Sequence, residues 1–302
     1  MVDLRYHIAS IIAIFLALGL GILIGSTIQG GGILVDQQQK VIDRLEKEFD
    51  VLRERESALL AQNESKNRII ENYENYSRTV MPFLIKDHLK GYNLAVVVTG
   101  NTDIPAGIIN ALNMAGAEVG SKTVVLANIK LNDSSLIKKV VDFYNLPADT
   151  SVDNLRKYIA SSVAGIIINP GGADPNVVDF LEESELVKFS GDYNKPVSGV
   201  ILVGGCNNIE NYFASDFDQK LIEDLLNKGM KVLGVEVSGV EYSYMEDYQK
   251  NNITTIDNVD LSPGQISLIL ALEGESGHYG IKETAEKFMP SLPVDSMWGA
   301  NR

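Results

Sequence analysis

The longest apolar stretch of the chain lies near its N-terminus, where residues 8–28 contain no charged side chain. About 21 residues at ~1.5 Å per residue form a helix of ~30 Å, the thickness of a bilayer hydrocarbon core. A cleaved signal peptide is the alternative, but its apolar core is shorter and ends in an Ala-x-Ala-like site, whereas this run ends in Ser26, Thr27 and Ile28. The pattern predicts one membrane-spanning helix, with residues 1–32 forming a cytoplasmic N-terminus, anchor and glycine hinge.

The charges that flank this helix predict its orientation. Arg5 and the terminal amine precede the span together with Asp3, whereas the segment after it holds Asp36 and no cation before Lys40. Positive charge favours the cytoplasmic side of a membrane. We therefore expect a single-pass protein of the cell membrane, with a cytoplasmic N-terminus and the bulk of the chain outside the cytoplasm.

A heptad repeat follows the hinge. In one frame, apolar residues fill most a and d positions between Val35 and Val80, in a background rich in Glu, Lys, Arg and Gln. This pattern is typical of a coiled coil, and we call residues 33–91 the stalk. Two chains anchored by their N-termini can pair only in parallel, and Glu48 at g then faces Arg53 at e of the second copy. The predicted seam of this homodimer comprises Ile42, Leu45, Phe49, Leu52, Leu59, Ile70 and Tyr73.

Polar residues interrupt the seam in the middle of the stalk, at Glu56, Asn63 and Lys66. Such residues weaken a coiled coil and can fix its register or oligomeric state. The regular pattern is expected to end at Met81 and Pro82. The alternative to a paired stalk is a helix folded back onto its own globular domain.

Between residues 92 and 275, short β-branched runs alternate with amphipathic helical stretches. This alternation predicts an α/β domain, a mostly parallel sheet between two helical layers of the Rossmann or flavodoxin-like type. Strands are predicted at residues 94–99, 123–127, 165–169, 197–203 and 231–237, with a weaker one at 253–256. Helices are predicted at residues 105–115, 134–144, 152–161, 177–189, 218–227 and 262–272. Residues 276–302 are predicted to form a C-terminal tail.

The charge and cysteine content exclude some classes of function. A net charge of -14 provides no basic patch for phosphates, so nucleic acid is not an expected partner. The single cysteine, Cys206, cannot form an internal disulfide, and it lies in an apolar run where a buried thiol is usual.

The loops after the predicted strands are the candidate ligand or partner sites, because open α/β sheets bind ligands at the carboxyl ends of their strands. Glycines there let a ligand approach the backbone, although they also simply make tight turns. None of the loops has a dinucleotide fingerprint or a phosphate-loop motif, so no cofactor is predicted. The candidate residues are Thr99, Gly100, Asn101, Asn169, Gly171, Gly172, Asp174, Gly204, Gly205 and Asn207.

No catalytic or metal-binding residue can be assigned. The histidines, His7, His88 and His278, do not stand beside a nucleophile with an orienting acid in sequence. A copper site needs clustered Cys, Met and His, whereas this chain has one cysteine, seven methionines and no Cys-x-x-Cys or His-x-His spacing. We expect a non-enzymatic protein, and an enzyme of unrecognised class using the strand-end loops is an alternative.

Two stretches resemble a known family. The first is Val-Asp-Leu-Arg-Tyr-His at residues 2–7, which runs into residues 15–26; the second comprises residues 256–260, 263–265, 271–272 and 277–280. Both resemble the MctB-like (mycobacterial copper transport protein B) family, which includes SteB-type membrane proteins linked to septation. The resemblance covers most of the chain in layout, and the two terminal stretches are its specific part.

The resemblance implies a bacterial envelope protein with no catalytic residues to carry over. Our first hypothesis is a dimeric scaffold or receptor that acts with a protein partner in cell division or wall remodelling. The alternative is copper transport or copper homeostasis, and copper enters only through the resemblance.

The second stretch brackets the predicted helix at residues 262–272 and carries the polar residues Asp257, Asn258, Asp260 and His278. We expect the helix to pack on the sheet edge and Asp257, Asn258 and His278 to lie close together. They would form either a capping network, which we favour, or a binding site.

Overall fold

The computed structural model of the chain describes residues 4–29, 31–100, 104–105 and 107–292. The chain divides into two units, residues 1–71 and 72–302. Asn101, residues 2–3 of the family-like stretch and the end of the tail from residue 293 lie outside the described residues. The predicted domain boundaries at residues 32, 91 and 275 remain predictions.

The first unit is helical. Helix α1 spans Leu4–Gln29, and Arg5–Ile28 within it is long and apolar enough to cross a membrane. Helix α2 spans Gly31–Ile85 and runs on into the second unit. It contains every residue of the predicted seam, and Leu45, Leu52 and Leu59 are 48%, 57% and 60% exposed in the single chain. The helix is thus observed, while its pairing into a coiled coil remains a prediction.

Helix α2 continues through Pro82 and ends at Ile85, beyond the end that the pattern predicted at Met81 and Pro82. Its last turns carry Met81 and Ile85, which are buried in the core of the second unit together with Leu89. Burial of these side chains offsets the backbone hydrogen bond that Pro82 cannot donate.

A seven-stranded sheet forms the centre of the second unit, in the order β3-β2-β1-β4-β5-β6-β7. All neighbours are parallel except β2 and β3. The strands are β1 (Asn93–Val98), β2 (Glu118–Val125), β3 (Val187–Gly191), β4 (Gly199–Val203), β5 (Val232–Val235), β6 (Thr254–Ile256) and β7 (His278–Tyr279). The central strands β1, β4 and β5 are buried on both faces, which explains their continuous apolar sequences.

Helices cover both faces of the sheet and complete the predicted three-layer α/β domain. Helices α3 (Ile108–Met114) and α9 (Ser262–Glu273) cover one face with the end of α2. The other face carries α4 (Ser134–Phe143), α5 (Val152–Ile168), α6 (Pro175–Glu183), α7 (Gln219–Asn227) and α8 (Met245–Gln249). The chain that leaves β1 enters α3 on one face of the sheet, whereas the chain that leaves β4 enters α7 on the other face. The direction of the connections thus reverses between the neighbouring strands β1 and β4, which is the switch point of the sheet.

Three sequence predictions fail in this unit. Residues 165–169, predicted as a strand, form the end of α5, whose apolar face is so broad that Val163, Ala164, Ile166 and Ile167 are all buried. Residues 177–189, predicted as one helix, divide between α6 and the antiparallel edge strand β3. Helix α9 is buried on a face of the sheet beside α3, not on its edge. Short apolar runs do not distinguish a buried strand from a buried helix, which explains the first error.

Candidate functional site

The carboxyl ends of β1, β4, β5 and β6 lie side by side, and we call this edge the strand-end site. Two of the three predicted loops meet there, since Thr99 and Gly100 follow β1 while Gly204 and Gly205 follow β4. The backbones at Gly100 and Gly205 are in contact, and a Cβ atom on Gly100 would overlap the Gly205 carbonyl group. A side chain at Gly204 would overlap the rings of Tyr244 and Tyr248. These glycines therefore allow the loops to pack against each other and against the tyrosine rings.

The third predicted loop lies elsewhere. Asn169, Gly171, Gly172 and Asp174 connect α5 to α6, and the Asp174 carboxylate accepts a hydrogen bond from the Asn176 amide as the N-cap of α6. The Gly171 amide donates to the Tyr193 carbonyl group, just beyond the end of β3. Because β3 is antiparallel, that position is towards the amino end of β2. The structure thus separates this loop from the strand-end site.

A buried acid, Asp218, lies under the β1 and β4 loops. Its Oδ2 atom accepts hydrogen bonds from the Thr99 hydroxyl (2.8 Å) and the Tyr248 hydroxyl (2.6 Å). Its Oδ1 atom has no hydrogen-bond partner within the described part of the chain. Burial raises the pKa of the Asp218 carboxyl to about 7, although both hydrogen bonds act to lower it. Close to neutral pH this group can therefore carry its proton inside the fold.

A second acid, Asp216, lies two residues before Asp218 and has the opposite electrostatic environment. Asp216 and Asp218 both belong to a π-helical turn, Ala214–Asp218, that leads into α7. The Asp216 carboxylate accepts a 2.6 Å hydrogen bond from the Arg156 guanidinium, which also donates to the carbonyl groups of Ile129 and Lys130. The Asp216 carboxylate is thus neutralised by a fixed cation, whereas Asp218 accepts hydrogen bonds from two neutral hydroxyl groups, and the nearby carboxylates of Asp216 and Asp247 also act to raise its pKa.

Glu236 follows β5 directly and is fully buried. Its Oε1 atom accepts hydrogen bonds from the Ser243 hydroxyl and the Lys282 ammonium, both at 2.6 Å, and its Oε2 atom accepts from the Tyr244 amide at 2.9 Å. Lys282 also donates to the Val237 carbonyl group at 3.3 Å. The Glu236 carboxylate is therefore neutralised within the chain.

The polar residues of the second family-like stretch bind to the chain's own backbone and hydroxyl groups. Asp257 follows β6 and accepts hydrogen bonds from the amides of Ile281 and Lys282, at 2.8 and 2.9 Å. Asp260 accepts from the amide and hydroxyl of Ser238, both at 2.7 Å. These contacts hold the two loops, and the choice between a capping network and a binding site stays a prediction.

The other two residues of that stretch have different surroundings. Asn258 is buried, and its side-chain oxygen and nitrogen have no hydrogen-bond partner among the described residues. His278 lies in β7, and its Nδ1 atom is 3.0 Å from the Thr255 hydroxyl on the neighbouring strand β6. The side chains of Asp257 and His278 therefore contact different groups although their strands are adjacent.

Cys206 is buried and pairs with Tyr242 through two backbone hydrogen bonds. Burial raises the pKa of its thiol, which disfavours the thiolate that would bind a soft metal. Asn207 accepts a hydrogen bond from the Glu241 amide. Across the described ranges, no three His, Cys, Asp or Glu side chains converge in a way that could hold a metal ion.

Sequence analysis missed the main polar residues of this site, Asp218, Glu236, Tyr248 and Lys282. One signal was available for Glu236, because a single acid inside the apolar run 231–237 is expected to be buried and paired. No local signal pointed to Asp218, whose partner Thr99 lies 119 residues away. Most polar groups of the strand-end site form hydrogen bonds with one another, and these bonds hold the loops in place.

Comparison with known proteins gives consistent matches along the chain. The family described as "Copper transport outer membrane protein, MctB" matches residues 1–290. "Copper transporter MctB" of Mycobacterium tuberculosis is 25% identical over 321 residues, covering 93% of this chain and 96% of the relative, and the Mycobacterium bovis protein gives the same figures. The Mycobacterium leprae protein of that name is 25% identical over 316 residues.

Proposed function

The chain belongs to the MctB family, and from this membership we propose that it takes part in copper transport or copper homeostasis at the membrane that holds α1. The observation that carries the proposal is the extent of the match, which includes the membrane helix, the stalk helix and the α/β domain. A match confined to the α/β domain would support only a shared fold.

The comparisons favour the copper alternative over our first hypothesis of a division scaffold. The description of the family and the names of the relatives all state copper transport. A role in septation gains no support from them, and we do not carry it further. The non-enzymatic interpretation agrees with a transport family, although this support is indirect.

In this proposal copper is the transported cargo and not a resident cofactor. The described residues contain one candidate membrane span, and a single helix cannot enclose a pore. We therefore propose that several copies, or this chain and a partner protein, form the route together, with the parallel stalk as the contact between copies. The α/β domain would then serve as a docking or regulatory part outside the cytoplasm.

Deletion of the gene tests the proposal. We expect the deletion strain to be more sensitive to copper and to hold a changed amount of cell-associated copper, measured by mass spectrometry. Zinc and nickel sensitivity should be unchanged, because a general membrane defect would alter all three. Normal copper tolerance and content, together with a septation defect under the microscope, would overturn the copper proposal in favour of division.

The full-length gene should restore copper tolerance, whereas a version that lacks residues 1–30 should not. This second arm separates a role that needs the membrane helix from one that the α/β domain performs alone. Immunoblotting must show equal amounts of both proteins.

A further inference from the structure

An open groove of about 540 Å³ lies on the helical face of the α/β domain, away from the β1 and β4 loops. One wall is the exposed face of α5, with Asn154, Lys157, Tyr158 and Ser161. The segment between α4 and α5 contributes Leu146, Pro147 and Thr150 to the lining, and α7 contributes Lys220. Small-molecule sites in proteins commonly have volumes of about 300–1,000 Å³.

The aromatic side chain of the groove is held in place from behind. Tyr158 is 46% exposed, and its ring centroid is 5.8 Å from that of Tyr144. The Tyr144 hydroxyl is itself fixed by a 2.7 Å hydrogen bond with Ser162. A supported ring that is half exposed offers a flat apolar surface at low entropic cost.

Three polar side chains on the same face of α5 have no hydrogen-bond or ion-pair partner among the described residues. Those of Asn154, Lys157 and Tyr158 make no hydrogen bond or ion pair with any part of the chain that the structure describes. They occupy positions i, i+3 and i+4 of α5, so they project in one direction. They can therefore donate to and accept from a ligand without breaking an existing contact.

The charges around the groove balance. Lys220 bonds to Glu223 and Asp224, at 3.2 and 2.8 Å, and Ser161 fixes Asp224 with a 2.6 Å hydrogen bond. Lys157 and Lys220 are the cations of the lining, and the two carboxylates that bind Lys220 lie beside it, so these four charges sum to zero. A flat apolar ring beside amide, hydroxyl, ammonium and carboxylate groups instead fits an uncharged ligand with one apolar face and many hydroxyl groups.

We propose that this groove binds a neutral saccharide, with a pyranose ring stacked on Tyr158 and its hydroxyl groups bonded to Asn154 and Lys157. The proposal goes beyond the copper role and does not depend on it. It gives the α/β domain a contact with the glycans of the envelope.

The test uses the full chain in lipid nanodiscs and chitotriose, an uncharged trimer of N-acetylglucosamine, as the probe. Calorimetry should show saturable binding, and Tyr158→Ala should weaken it about fivefold or more, which corresponds to the loss of roughly 1 kcal/mol. Tyr158→Phe should retain most of the affinity because the ring stays. The matched control is Phe288→Ala, which removes the ring of a residue that is 53% exposed and lies outside the groove.

Unsaturable binding, or equal affinity in the Tyr158→Ala variant with an unchanged melting temperature, would overturn the proposal. Glucose 6-phosphate serves as a charged comparison. If it binds more tightly than chitotriose and loses this affinity in Lys157→Gln, the site is an anion site and the neutral-saccharide assignment is wrong.

Discussion

The carboxylate of Glu74, near the end of α2, caps the first turn of α9 by accepting hydrogen bonds from both the amide and the hydroxyl of Ser262. The amide is 3.1 Å from each carboxylate oxygen, and the hydroxyl is 2.6 Å from Oε1. The residue at the N-cap position is Leu261, which has no side-chain acceptor. The long helix thus supplies the cap that α9 lacks, from 188 residues away.

The other end of α9 is also tied to the chain segment that follows α2. The Nδ1 atom of His88 is 2.8 Å from a carboxylate oxygen of Glu273, the last residue of α9. Between these two contacts, Met81, Ile85 and Leu89 pack into the same core as α9. The end of α2 is therefore a structural part of the α/β domain.

Glu74→Ala should destabilise the α/β domain by about 1–3 kcal/mol, because it leaves the first amide of a buried helix without its charged acceptor. Denaturant unfolding of the purified chain, followed by circular dichroism, measures this loss. Glu54→Ala, a change at an exposed acid of the same helix, is the matched control and should stay within about 0.5 kcal/mol. Equal stability of the two variants would show that the cap contributes nothing.

Asp218→Asn should stabilise the protein above pH 7 and change little below pH 4. The folded pKa of about 7 exceeds the ordinary value of 3.8, so the folded state holds a proton that the unfolded state has released. The stability that this group contributes is fully present below pH ~4 and is lost as the pH rises through ~7. The free energy of unfolding falls by at most roughly 4 kcal/mol over this range. The amide imitates the protonated acid and removes this loss.

Melting temperatures of Asp218→Asn and the wild type between pH 4 and pH 9 check the prediction. The two curves should separate between pH ~4 and pH ~7 and stay apart by a constant amount above that range. Parallel curves would mean that Asp218 does not titrate in this range. Asp216→Asn is the contrasting variant and should destabilise, because it removes the buried anion of the Arg156 guanidinium and leaves only the exposed carboxylate of Asp153 beside it.

Lys282→Met should destabilise the protein by about 3–5 kcal/mol, since it leaves the fully buried carboxylate of Glu236 without a cation. Glu236→Gln combined with Lys282→Met should recover part of this loss, because neither charge then remains. A double-mutant cycle in urea measures the coupling. Additive losses in the double variant would show that the pair is not coupled in the way the geometry indicates.

Much of the fold could be predicted from the pattern of apolar and polar residues, as the buried central strands show. The apolar β-branched sequences of β1, β4 and β5 identified these three strands, because strands buried on both faces are continuously apolar. The two threonines of β6 made its pattern weaker. The same rule failed at residues 165–169, where a helix buried on most sides has an equally continuous sequence. Strand β3 was missed because it is short and its side chains are mostly exposed.

The strand-end site could be predicted only in part. The rule for open sheets located the loops at Thr99 and Gly204, but it could not locate the acid that joins them. Asp218 reaches Thr99 because the turn before α7 folds beneath β1, and this contact depends on the strand order. Contacts between residues so distant in sequence follow from topology, which local patterns do not encode.

The orientation of the membrane helix remains a prediction that a reporter can test. A periplasmic or surface reporter, active only outside the cytoplasm, should be active when fused after Leu272, because the cations near the span favour a cytoplasmic N-terminus. The reciprocal fusion of a cytoplasmic reporter should be inactive. Activity of only the cytoplasmic reporter at this position would reverse the orientation.

The final prediction concerns dimerisation through the stalk. The apolar seam residues of α2 are exposed in the single chain and are therefore free to pack against a second copy. Leu45 and Leu52 occupy d positions, and each well-buried leucine side chain is worth about 1.5–3 kcal/mol relative to exposure. Polar seam positions such as Asn63 oppose this gain, so a fragment from residue 34 onward should dimerise only modestly. The full chain should dimerise more strongly, because two anchored copies meet at a raised effective concentration.

Leu45→Asp combined with Leu52→Asp places two charges of each chain in the seam. Sedimentation should then show a monomer of the fragment, while the circular dichroism of the α/β domain stays unchanged. The matched control is Ala58→Asp combined with Ala61→Asp, which adds the same two negative charges at exposed positions of α2 outside a and d. A dimer that survives the seam variant would exclude the stalk as the interface, and contacts between the α/β domains of two copies would then have to hold the pair together.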